Sequence, residues 1–179
     1  EIGRERVVSP LSREFQGPVE QRGELRTTAI RIMYKDIRES LGLDMLMRPK
    51  KVHPNTFQEK DGLLAHHQES GLLWQRRGAG FPLNWQQAHE YVEKLNSDGW
   101  QGRDTWRLPT TEELSTVLEP VGSAGGGSGM FYPRVHWLWS CDSCTKKQAW
   151  MADIAENFIE RLAKDGTASV CAVSSQKTG

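Results

Sequence analysis

The sequence predicts a mixed α+β fold in which helices and strands share one core, and three stretches carry that expectation. "GLLWQRR" at 71–77 is a short apolar run opened by one glycine and followed by another, Gly78, as expected of a buried strand. In "NWQQAHEYVEKLNSDG", Trp85, Ala88, Val92 and Leu95 recur at helical spacing behind Asn84, an N-cap with Gln87 three residues on, which predicts a helix over 85–96. "DTWRLPTTEEL" at 104–114 passes from one kind of structure to the other. Pro109 disfavours helix at Leu108, so "TWRL" is extended, while Thr110 and Glu113 form a capping box before the stripe Leu114, Val117 and Leu118. We read it as a strand-to-helix corner. Its glutamates suit the positive end of the helix dipole without any catalytic role. The expectation is that Trp106 is buried, that Arg107 holds a neighbouring loop through carboxylate or carbonyl contacts, and that Thr110 caps the helix.

All seven tryptophans follow Phe57, and large aromatic rings dominate core burial, so the core domain is expected over 57–179 with residues 1–56 as an N-terminal extension. Residues 1–23 are polar and carry Pro10 and Pro18, which reads as an extended lead. Ile30, Met33, Ile37 and Leu41 then recur at three- and four-residue spacing before Gly42, predicting an amphipathic helix over 28–41. Its apolar stripe would dock on its own domain or on another chain.

Beyond Pro120, "VGSAGGGSG" reads as a flexible loop. The aromatic-dense "MFYPRVHWLWSCDSC" follows, and then "ADIAENFIERLAK", whose Ile154, Phe158 and Leu162 have helical spacing. Lys plus Arg and Asp plus Glu number 23 each, so bulk charge offers nothing to a nucleic acid or an anionic membrane, and no nucleic-acid partner is expected. No apolar run approaches the roughly 20 residues that cross a bilayer, so no membrane insertion is expected. The first residue is Glu1, which reads as a piece of a larger or processed protein.

In order and spacing, Phe57, "DG" at 61–62, "SGLLWQ" at 70–75, "NWQQAHEYVEKLN" at 84–96, "DTWRLPTTEEL", "WLWSC" at 137–141, "AWMADI" at 149–154 and "ASVCAV" at 168–173 resemble the bacterial Lcl C-terminal domain family. That family is related to C-type-lectin-like and formylglycine-generating-enzyme folds. The resemblance implies a C-type-lectin-like α+β domain: two helices packed on a twisted antiparallel sheet, with a long irregular loop region between the second helix and the last strands. It also implies that 149–173 are strands joined by tight turns, with "KDG" at 164–166 turning the last hairpin, and we follow it there over the helical spacing.

The candidate sites are few. Calcium-dependent lectins hold their ion with side-chain oxygens, often in Glu-Pro-Asn or Gln-Pro-Asp, but here Glu119-Pro120 is followed by Val121, which reads as a helix end and turn. The resemblance to formylglycine-generating enzymes draws attention to Cys141 and Cys144, a CxxC with Cys171 further on, as weak candidates for copper or redox chemistry, a disulfide, or ordinary thiols. An odd count of three cysteines leaves the redox compartment open, while the resemblance, to a family whose lectin-like modules are often surface-exposed or secreted, implies a slight lean to an extracytoplasmic or surface location. His66 and His67 are adjacent and point to opposite faces of a strand; His53, His89 and His136 stand alone. No Ser-His-Asp order or phosphate loop appears, and no cofactor is called for.

The stretch that local rules leave unexplained is Met130, Phe131, Tyr132, Arg134, His136, Trp137 and Trp139, the residue types of binding hot spots following a flexible segment. Trp137 and Trp139 alternate with Leu138 and also fit core packing. The expected function is a non-enzymatic recognition module that binds a protein or glycan through 120–145. The alternatives are a formylglycine-generating-type metal oxidase and an assembly domain that makes homo- or hetero-oligomers through the 28–41 helix.

Overall fold

The computed structural model describes residues 25–51, 56–118 and 129–175. The polar lead, His53, the Glu119-Pro120-Val121 turn and the Gly/Ser run at 122–128 lie outside the described residues. Among the described residues seven strands form two antiparallel sheets, ordered β1-β2-β3-β7 and β4-β5-β6. In the first, β1 (Phe57–Lys60) and β2 (Leu64–His67) make a hairpin turned at Asp61 and Gly62, both left-handed with φ of 54° and 68°. The "DG" pair is suited to that conformation. β3 (Leu72–Gln75) is buried along its whole length, the burial its continuous apolar run predicts, and β7 (Val173–Ser175) returns from the far end of the chain to pair with it.

In the second sheet, β4 (Trp137–Ser143) pairs with β5 (Gln148–Asp153) across a bulge, and β5 pairs with β6 (Phe158–Ala163) in unbroken register. The helical spacing of Ile154, Phe158 and Leu162 is thus overridden. Ala149 faces Leu162 and Ala152 faces Ile159 across the ladder, and Asn157 turns the hairpin at φ 58°. The "KDG" turn forms, with Gly166 N–H donating to Ala163 at 2.9 Å, but it closes no hairpin. The chain leaving it bridges Ala168 to Leu83 and Ser169 to Leu138 before reaching β7, and so stitches the two sheets together.

The predicted helix over 28–41 is largely replaced. Only α1 (Ile37–Leu41) is helical, ending at Gly42 in the left-handed conformation the sequence anticipated. Upstream, Ser143 N–H donates to Ile30 and Ile32 N–H donates to Ser143, at 3.1 and 2.9 Å, so that 30–32 lies extended along the β4 bulge. The ladder and the tertiary contacts win over periodicity: Ile32 and Ile37 are buried, whereas Ile30 and Met33 of the supposed stripe are exposed. Ile32, Ile37, Leu43 and Met47 share a core with Trp74, Leu138 and Trp150, so this strap packs into its own chain.

α2 (Trp85–Ser97) and α3 (Thr111–Val117) form as expected, each with a complete capping box, Asn84 with Gln87 and Thr110 with Glu113. Ala88, Val92 and Leu95 of α2 close a second core over Leu73, Trp106, Trp139 and Met151. Trp106 is 2% exposed, and Asn96 clamps its backbone at both ends, accepting from its N–H at 2.7 Å and donating to its carbonyl at 2.8 Å. Arg107 departs from expectation. Its guanidinium makes a two-pronged pair with Glu113, at 2.7 and 2.5 Å, and so braces the corner from within instead of holding another loop.

Candidate functional site

The aromatic loop divides into an inner and an outer set. Met130, Phe131 and Trp139 are 5%, 3% and 0% exposed, which corrects the expectation that they face a ligand. The cause is local. Arg76 donates to the Met130 carbonyl at 2.9 Å and Tyr132 N–H donates to Arg76 at 3.0 Å, drawing 130–132 onto the end of β3, where Phe131 meets Trp74 edge-on with centroids 5.8 Å apart. Trp139 donates its indole N–H to Leu83 at 2.8 Å. Tyr132, Arg134, His136 and Trp137 are exposed. Trp137 is anchored through Nε1 to Asp153 at 2.7 Å, outside the groove that the other three line.

That groove, of about 750 Å³, has the 132–136 loop as one wall and Arg77, Phe81 and Pro82 as the other, with Ser169 and Val170 at its base. Its frame is backbone. Ala79 donates to Val170 at 3.1 Å, Leu83 and Ala168 exchange bonds at 2.9 and 3.0 Å, and Ser169 donates to Trp137 at 2.7 Å. Gly78 makes the approach feasible, because a Cβ there would stand 1.7 Å from the Val170 oxygen and the residue also needs φ of 63°. Phe81 is 64% exposed and Tyr132 41%.

Charge is lopsided. Arg77, Arg134 and His136 line the groove and, among the described residues, no carboxylate does. Arg77 and Arg134 also have no side-chain hydrogen bond or ion pair among the described residues. Their neighbour Arg76 differs, being paired with Glu59 at 2.7 Å and lying 5.6 Å from the Tyr132 ring centre. Sequence reasoning missed Arg77, Phe81 and Pro82. The available signal was "GAGFP" at 78–82, where a phenylalanine stands between turn formers that bury no stripe.

The other candidates are enclosed. Cys141, Cys144 and Cys171 are free and buried. Burial, and then Asp142 nearby, pushes the Cys141 thiol up to about 12, and burial raises Cys171 further. Such thiols are poor nucleophiles and poor metal ligands at neutral pH. No group of three or more His, Cys, Asp or Glu is placed to hold a metal among the described residues. One constellation escaped sequence reasoning: His67 Nδ1 lies 2.6 Å from Ser70 Oγ and its Nε2 lies 3.1 Å from Glu69. The His67 ring is fully buried and stacks on Phe57 at 4.8 Å, and Ser70 also takes the Leu72 amide at 3.4 Å, so the trio clamps the β2–β3 turn.

The most concentrated electrostatics belong to Asp142, 0% exposed in the β4 bulge. It accepts two bonds from Arg26 at 2.8 Å, one from Ile30 N–H at 2.9 Å, and the amide and hydroxyl of Thr111 at 2.8 Å. Burial alone would raise its carboxyl, but the Arg26 guanidinium and the Thr111 and Ile30 donors outweigh burial and hold it below the usual carboxylate range. This knot ties strap, β4 and α3 together and has no free acceptor position facing solvent. It is structural.

Among the described residues, two antiparallel sheets flanked by three α-helices and notched by an open groove define a mixed α+β domain. The model of the Lcl C-terminal domain family matches residues 64–174, and the chain belongs to that family. The match opens at β2, so the strap and β1 lie outside the matched residues. No curated protein matches the chain.

Proposed function

We propose that this chain is a non-enzymatic recognition module of C-type-lectin-like architecture that takes a protein or glycan partner in the groove between 77–82 and 132–136. One observation carries the reading: exposed Phe81 and Tyr132 stand beside Arg77 and Arg134, two cations without internal partners among the described residues, on a backbone-pinned frame. A rigid frame lets exposed side chains bind without first being ordered, which lowers the entropic cost of association. Among the described residues, a catalytic reading lacks an accessible nucleophile with its base. All three thiols are enclosed, burial makes those of Cys141 and Cys171 hard to ionise, and the Ser70–His67–Glu69 trio has its imidazole sealed in the core.

The test is to screen glycan and peptide arrays with the wild-type chain and with Tyr132→Ala/Arg134→Ala. The reading expects wild-type signals that fall about tenfold or more in the variant while melting stays within a few degrees. Signals that persist in the variant place recognition elsewhere. Exposure to a fluorophosphonate should leave Ser70 unlabelled, and labelling there would revive the catalytic alternative.

A further inference from the structure

We infer that the occupant of the groove is an acidic segment of a partner protein, carrying carboxylates beside an aromatic or branched apolar residue; this rests on the groove being the recognition surface. The polar side chains of the lining are the guanidinium groups of Arg77 and Arg134, the His136 ring and the hydroxyls of Tyr132 and Ser169, and the two guanidinium groups are donors only. Guanidinium forks match carboxylates in shape and charge and take them through paired hydrogen bonds. No Asp, Glu, Asn or Gln lines the groove among the described residues. That leaves the Tyr132 and Ser169 hydroxyls and the His136 ring as side-chain acceptors among the described residues, a poorer match to a neutral glycan, whose many hydroxyls donate as well as accept, than to carboxylates facing two guanidinium groups.

The rest of the lining is apolar. Phe81 is the most exposed aromatic of the described residues, Pro82 and Pro133 stiffen the two walls beside it and beside Tyr132, and Val135 and Val170 lie deeper. An apolar lining that also carries two unpaired cations suits a peptide that alternates carboxylate and ring or branched side chain, since each extended residue advances about 3.3 Å and successive side chains diverge. The same groove repels a basic segment, so charge sets both preference and rejection. Arg76 does not take part, because Glu59 already neutralises it.

The experiment selects a random peptide library displayed on phage against the whole chain and, in parallel, against Arg77→Glu/Arg134→Glu. Both arginines are exposed and without internal partners, so the variant should melt with the wild type. The wild type is expected to enrich peptides with Asp or Glu next to Phe, Leu or Ile, and the variant to enrich Lys or Arg in their place. Synthesised wild-type winners should bind the variant about a hundredfold more weakly, roughly tenfold for each reversed charge, and Phe81→Ala about tenfold more weakly. Polygalacturonate, a carboxylated polysaccharide, is titrated alongside. If it binds wild type but not the variant while no acidic peptide is enriched, the peptide assignment falls and the groove reading stands. If wild type and variant enrich the same peptides and take polygalacturonate equally, both the assignment and the groove reading fall.

Discussion

Asp142 and the Arg77/Arg134 pair are both charged sites bordering the same sheet system, yet their surroundings are opposite. Asp142 is fully buried, and donors from two distant parts of the chain, Arg26 and Ile30 of the strap and Thr111 of α3, converge on it. The two arginines are exposed and have no internal partner among the described residues. A charge whose hydrogen bonds are complete inside the chain serves folding, and removing it leaves its partner stranded. An exposed, unpartnered charge contributes little to folding and remains available to a second molecule. The side chains that matter most to stability should therefore matter least to binding, and the reverse.

The comparison breaks most visibly at its structural end. Asp142→Asn strands Arg26 and breaks the knot, an expected loss of about 3–5 kcal/mol in urea unfolding. Trp106→Ala empties the second core and should cost about the same. If either variant unfolds like the wild type, the corresponding claim of structural dependence is wrong. Because the folded carboxyl of Asp142 lies below its ordinary value of 3.8, its contribution is present above that value and is lost as pH falls through the folded one. The wild type should thus lose stability below about pH 4 through this group, and Asp142→Asn should lack that part of the acid transition. Thr110→Ala removes one cap and should cost about 1 kcal/mol, leaving peptide binding unchanged. At the small end, Arg134→Ala and Phe81→Ala should each move stability by less than about 0.5 kcal/mol.

The corner at 104–114 was legible because its signals are local. A proline, a capping pair and a stripe within eleven residues fix its geometry, and Thr110, Glu113 and Trp106 stand where that pattern puts them. The helix over 28–41 was misread because a distant carboxylate and the β4 bulge claim its backbone, which no window of neighbouring residues reveals. Asp142 did leave a trace: a carboxylate in the apolar strand "WLWSCDS" requires a partner, although the sequence could not say that the partner was Arg26. The groove was half legible. Tyr132, Arg134 and His136 were identified, but the opposite wall comes from 77–82, joined to them only through the backbone of 168–170. Met130, Phe131 and Trp139 share the residue types of a binding loop, and burial alone separates them from it.

The separation of folding charges from binding charges is tested most directly by measuring melting and peptide affinity together for Arg77→Glu/Arg134→Glu. The account predicts a melting temperature within a few degrees of wild type together with a switch from acidic to basic peptides. A variant that melts far lower, or that melts normally and keeps the wild-type preference, would contradict it.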